Sequence, residues 1–142
     1  LDVGCGKGYL LYEIKKILPE IEIHGFDISA YSIKNSKEEI KKSLFIHNAK
    51  DNFPFKRKYF DLTFTLATLH NLTIFELENS IKEIERVSKK SYIMVESYRN
   101  EKEFFNVQCW ALTCKSFFDY DEWLWLFKKF KYNGDYEFIY FE

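Results

Sequence analysis

The sequence predicts an α/β fold: a three-layer α/β/α sandwich on a mostly parallel sheet, with an antiparallel strand near its C-terminus. Three observations predict it. Glycines at positions 4, 6 and 8 follow Asp2 and lead straight into an apolar stretch of helical period. Short β-branched and aromatic runs then alternate with helical-period runs as far as residue 97. Asp27 closes one short run and Asn48 follows another, where a parallel sheet presents its ligand-binding edge.

Residues 1–3 read as the tail of a buried strand, and Gly4-Cys5-Gly6-Lys7-Gly8 as a tight turn. Glycine suits a chain that takes positive φ and lets a ligand touch bare backbone. The free amides of the next helical turn then face whatever sits above the strand end. Leu10, Leu11, Ile14, Ile17 and Leu18 recur at helical spacing through residues 8–18, and Pro19 stops that helix. Residues 21–27 form a second strand ending in Asp27, 23 positions after Gly4. That is close to the offset of about 20 at which such folds set an acid on ribose hydroxyls. One carboxylate accepts from two vicinal hydroxyls; the alternative for Asp27 is a helix cap or a solvated turn acid.

Ser29 caps a second helix over residues 30–43, with Tyr31, Ile33 and Ile40 as its apolar face. Residues 44–47 are a third strand, in which His47 is expected to pack at the strand end, and residues 48–55 are a loop. Residues 59–66 are a nearly continuous apolar run, as a strand covered on both faces requires. Thr73 and Glu76 form a capping box for a helix carrying Ile74, Leu77, Ile81, Ile84 and Val87 inward. Residues 91–97 are the fifth strand. Residues 98–118 are aromatic and polar without a period. Asp119 and Glu122 then cap a helix with Trp123, Leu126 and Phe127 inward, and Asn133-Gly134 turns the chain into a last strand over 136–141.

At 142 residues the chain is one domain by length, divided into 1–97 and a looser 98–142. A balance of 21 basic and 22 acidic residues argues against a nucleic-acid partner, whose phosphates call for a basic surplus. No apolar run reaches membrane-spanning length. Cys5, Cys109 and Cys114 are odd in number and lack metal-ligand spacing, which suits a reducing cytoplasm. Because the first strand enters at its last residues, the chain is expected to be N-terminally truncated.

Asp2 followed by Gly-x-Gly-x-Gly resembles motif I of the class I S-adenosylmethionine-dependent methyltransferases, and the register is similar through residue 97 or so. The resemblance implies a Rossmann-like fold with S-adenosyl-L-methionine as cofactor. It implies that Asp2 orients the methionyl amino group, through water, and that Gly4, Gly6 and Gly8 lie under the carboxylate and ribose. Asp27 would hold the ribose diol and Ile28 cover one adenine face. Asn48 and the Ala49 backbone would read the adenine edge, and the Leu66 carbonyl complete the methionyl contacts. An acid is usual where Asn48 stands; an amide oxygen still accepts from an exocyclic amine.

Methyl transfer from a sulfonium is an in-line displacement with a neutral leaving group, so the protein mainly holds the nucleophile about 3 Å from the methyl carbon in a dry pocket. His70, leaving the fourth strand, is the first candidate for a base; the alternative is a packed histidine. Glu96, at the tip of strand five, is the second; the alternative is a buried hydrogen-bonded acid. Tyr98, Arg99, Trp110 and Phe117 are candidates for lining the acceptor pocket. Residues 66–69 lack the Asn/Asp-Pro-Pro-aromatic run of nucleobase amino-methylating enzymes, which leaves a small-molecule acceptor with a hydroxyl, amine or activated carbon. Two competing readings are an NAD(P)-dependent oxidoreductase, disfavoured by the glycine spacing, and a catalytically inactive methyltransferase-like binding protein.

Overall fold

Two residues suffice for β1 (Asp2–Val3), because the strand is held from both sides. Asp2 pairs with Gly25 of β2 (Gly25–Asp27) and with Phe64 of β4 (Phe60–Leu66). The computed structural model describes residues 1–142. Its sheet has the order β3-β2-β1-β4-β5-β6, with β3 at Leu44–Ile46, β5 at Ser88–Glu96 and β6 at Asp135–Ile139. Every pairing is parallel. The strand order reverses beside β1, so the crevice above the β1 and β4 tips is the switch point at which such sheets bind ligands.

The expectation of an antiparallel last strand is corrected. β6 runs parallel to β5, in a register from Tyr92 opposite Asp135 to Glu96 opposite Ile139. The cause is the crossover. The chain leaves β5 into α5 (Glu101–Trp110) and returns through α6 (Tyr120–Lys129), so it re-enters the sheet at the end where β5 began.

Helices cover the two faces unequally. On one face α4 (Ile74–Val87) buries Leu77, Ile81, Ile84 and Val87, and α6 buries Trp123, Leu126 and Phe127, in a core of 19 buried residues. Full burial of each such aliphatic side chain contributes about 1.5–3 kcal/mol. On the other face a cluster of four, Leu11, Ile23, Ile40 and Leu44, seats α1 (Tyr9–Ile17) against the strands. Both expected capping boxes form, Thr73 with Glu76 and Asp119 with Glu122.

The single helix expected over 30–43 is two: α2 (Ala30–Lys34) and α3 (Glu38–Lys41). Between them the Asn35 side-chain amide donates to the Tyr31 carbonyl at 2.7 Å and the Ser36 hydroxyl to the Ile33 carbonyl at 2.8 Å. Such side-chain bonds compete for the carbonyls that a continuing helix would use. The stretch without visible period holds α5, opened by Asn100, whose side chain accepts from the Glu103 amide. Its weak amphipathicity hid it: only Glu103 and Val107 are buried. The loop after β3 is pinned from below. Glu83 accepts from the Phe53 amide at 2.6 Å, and Arg86 donates to the Phe53 and Phe55 carbonyls at 2.9 and 2.7 Å.

Candidate functional site

The turn after β1 is left-handed at every second residue, with φ of 81° at Gly4, 54° at Gly6 and 72° at Gly8. Gly4 has a further reason to lack a side chain: a Cβ there would lie 2.1 Å from the Thr68 hydroxyl oxygen. At Gly6 nothing lies within 4 Å of that position, so only its backbone is constrained. The Gly6 amide donates to Oδ2 of Asp27 at 2.8 Å, and the Ser29 amide donates to Oδ1 at the same distance. The acid therefore ties the glycine turn to the start of α2 while keeping lone pairs free, since a carboxylate offers about four acceptor sites.

Above this junction lies a cavity of about 490 Å³, in the size range of small-molecule sites. Gly4, Asp27, Ile28, Asn48, Ala49 and Leu66 line it, drawn from the tips of four neighbouring strands. Ile28 forms an exposed apolar lip, and Ala49 a buried wall. Asn48 spends one lone pair locally, accepting from the Lys50 amide at 3.1 Å. The Leu66 carbonyl accepts from the Thr68 hydroxyl at 3.1 Å. Ala67, next along the wall, holds a positive φ of 51°, a strained backbone of the kind that collects at binding sites.

Asp2, Gly6 and Gly8 do not reach the cavity wall. Asp2 lies below the turn, 5% exposed, and burial pushes its carboxyl up to about 7; the Leu1 ammonium opposes that rise and the Asp27 charge adds to it. His47 was expected only to pack. It does lie edge-on to Phe26, with ring centroids 5.1 Å apart. It also lines the cavity, and its Nε2 is buried without a partner. Lys50 and Lys115 close the mouth around Glu76, at 3.5 and 3.9 Å. No local sequence signal marks Lys115, which arrives from the segment between α5 and α6.

His70 and Glu96 do not face this cavity. They meet in a smaller pocket beside it, shared with Tyr98, Cys114, Ser116 and Phe117, that leaves no room for a water molecule. His70 Nδ1 lies against Oε2 of Glu96, and neither that nitrogen nor either carboxylate oxygen has another partner. The Cys114 thiol is pushed up to about 11, first by burial and further by Glu96, which keeps it protonated and rules it out as a thiolate nucleophile. Arg99 is taken out of the acceptor group: it is committed to Glu103 and Glu142 and stacks on Tyr140. Among the residues of the structure no group of three metal-ligating side chains forms.

A parallel sheet with a glycine turn, an acid at the neighbouring strand tip and a cavity over the switch point defines a protein of the nucleoside-cofactor-binding α/β class. A profile of the family described as "Methyltransferase domain" matches residues 1–135, and the chain belongs to that family. Among curated proteins it is 27% identical over 109 residues to the mouse mitochondrial arginine-hydroxylase NDUFAF5, covering 77% of this chain and 31% of that protein. The chain thus spans about a third of that relative's length. Among solved structures, a putative methyltransferase complexed with the Trm112 methyltransferase activator of Haloferax volcanii matches with a TM-score of 0.74 and 18% identity, over 91% of this chain and 58% of that one. An S-adenosylmethionine-dependent methyltransferase from Archaeoglobus fulgidus matches with a TM-score of 0.71 and 22% identity, over 91% and 58%. These structures share the fold. The class I methyltransferase resemblance read from the sequence therefore stands.

Proposed function

We propose that the chain binds S-adenosyl-L-methionine and transfers its methyl group to a small-molecule acceptor. The observation that carries this reading is the 2.8 Å bond from the Gly6 amide to Asp27 beside the cavity, which joins the two features the cofactor's ribose and methionyl parts need. The residues present fit that group. The side-chain-free Gly4 leaves backbone for close approach, Asp27 keeps acceptor capacity for the diol, and the Asn48 amide and the unpartnered His47 Nε2 offer polar contacts to an adenine edge. Ile28 supplies an apolar cover, Ala49 and Leu66 the walls, and Asp2 a carboxylate beneath the methionyl amine. Bound there, the cofactor supplies an electrophilic methyl on a positively charged sulfur.

His70 is the proposed catalytic base, with Glu96 beside it. The acceptor is a small molecule because the surface carries no basic excess for a polymer of phosphates. No helix is long and apolar enough to cross a membrane, and the three free cysteines suit a cytoplasmic setting. The mouse relative's name is that of an arginine hydroxylase, so transfer itself has to be tested. Calorimetry with S-adenosylhomocysteine and with NAD separates the cofactors: saturable binding of the first and none of the second is expected. Tritium from methyl-labelled cofactor is then expected in the low-molecular-weight fraction of a cell extract. Label confined to protein or RNA refutes the small-molecule acceptor, and NAD binding alone refutes the whole reading.

A further inference from the structure

His70 and Glu96 come from different strand tips, the turn after β4 and the last residue of β5. Each is 4% exposed, and they meet as a pair with no other hydrogen-bond partner on the ring Nδ1 or on either carboxylate oxygen. Burying an acid and an imidazole together is costly unless geometry or function compensates. A structural tie between two strands would need neither group, because β4 and β5 are already joined along six paired positions from Phe60–Ser88 to Leu66–Met94. The groups facing the imidazole are Glu96 from β5, Tyr98 from the segment after it, and Cys114 from the strap before α6; the Trp110 ring stands 6.1 Å away. None of these is a cation.

The strap is fastened to the turn that carries the imidazole. The Lys115 and Ser116 amides both donate to the His70 carbonyl, at 2.9 and 3.1 Å, and the Thr113 hydroxyl donates to Asn71 at 2.6 Å. Thr113, Lys115 and Asn71 also line the large cavity. One piece of backbone thus separates the cavity from the buried pair and belongs to both walls.

We propose that Glu96 is a positioning residue that holds the proton of His70 on Nδ1, leaving Nε2 as the base, and that the acceptor is therefore a neutral hydroxyl compound of phenol or enol type. This deepens the methyl-transfer reading and rests on it. A neutral amine attacks with a lone pair it already has, and a carboxylate is already ionised, so neither needs a buried base at the start of the reaction. A hydroxyl does. As its oxygen bonds to the methyl carbon, the carbon–sulfur bond breaks with its electrons staying on sulfur, and the hydroxyl proton passes to Nε2 of His70. The imidazolium so formed is held by the Glu96 carboxylate until the proton leaves to solvent. The acceptor enters where Tyr98 and Phe117 now fill the small pocket, and aromatic side chains there suit a flat ring.

The test uses the full chain and three acceptor probes: 4-nitrocatechol, benzylamine and benzoate. Tritium from the labelled methyl donor is expected only in the nitrocatechol product. His70→Gln lowers kcat about a hundredfold. Glu96→Gln lowers it about tenfold, with KM for nitrocatechol unchanged and S-adenosylhomocysteine affinity unchanged in both variants. Nitrogen-15 NMR of the histidine ring is expected to show the Nδ1–H form in the wild type and a mixture in Glu96→Gln. Preferential labelling of benzylamine or benzoate overturns the proposal, as does a Glu96→Gln protein with wild-type kcat or an Nε2–H ring in the wild type. Absence of any hydroxyl labelling while S-adenosylhomocysteine binds also overturns it. Failure of S-adenosylhomocysteine to bind at all is the separate failure of the cofactor reading.

Discussion

Asp2→Asn isolates the energetic consequence of setting an acid beneath the glycine turn. The wild-type carboxyl is raised from 3.8 to about 7, mainly by burial. At about 1.4 kcal/mol per pH unit, that rise corresponds to about 4 kcal/mol between ionised and neutral forms. Below about pH 4 the acid is protonated in folded and unfolded chains alike, and it has no effect on stability. As pH rises, the unfolded chain ionises first and the folded one holds its proton until about 7. Stability therefore falls through that window and levels off above it. Asparagine stays neutral, so the variant's stability advantage should grow from nothing near pH 4 to about 4 kcal/mol above pH 7. Urea unfolding at a series of pH values measures it, and a difference independent of pH would refute the reasoning. The same group predicts a proton signature. An ammonium placed over Asp2 favours its ionised form, so S-adenosylhomocysteine binding slightly below neutral pH should release a proton from the wild type and none from Asp2→Asn. Calorimetry in buffers of different ionisation enthalpy reads this directly, and equal heats would remove Asp2 from the cofactor contacts.

The Asp27 carboxylate accepts one amide on each oxygen, so Asp27→Asn turns one of those contacts into donor against donor. A stability loss of about 2–3 kcal/mol is expected by thermal or urea unfolding, the scale of a hydrogen bond to a charged group, together with at least tenfold weaker cofactor binding, about 1.4 kcal/mol; an unchanged melt would show that the turn does not depend on the acid. Gly4→Ala and Gly6→Ala should separate, because the first drives a Cβ to 2.1 Å from the Thr68 hydroxyl oxygen and the second meets nothing within 4 Å. Gly6→Ala should cost about 1–2 kcal/mol for left-handed backbone alone, and Gly4→Ala distinctly more; equal losses in urea unfolding would contradict the packing at Thr68.

Much of the fold is legible along the chain because it is written in local periods. Leu77, Ile81, Ile84 and Val87 declare their helix by spacing, and Asp119 with Glu122 marks the start of another through a cap that needs only neighbouring residues. The cofactor-side positions are legible for a related reason: a parallel sheet puts whatever follows each strand on the same edge, so Gly4, Asp27 and Asn48 are gathered by topology alone. Direction of the last strand was not legible, since it depends on how far α6 carries the chain back across the sheet. Nor was α5, whose few buried residues leave almost no period to detect. The break between α2 and α3 depends on the Asn35 and Ser36 side chains reaching particular carbonyls, which composition leaves open.

The sequence by itself determined the class of fold, the glycine turn and the acid that braces it, because each follows from backbone conformation or from the order of strands. Only the tertiary structure decided that His70 and Glu96 form one buried pair, that Lys115 joins Lys50 at the cavity mouth, and that Asp2 lies beneath the turn and not in the wall. Those residues stand 26, 65 and 25 positions from their partners His70, Lys50 and Asp27. A contact across such separations is set by the packing of whole elements, and no local pattern in the chain records it.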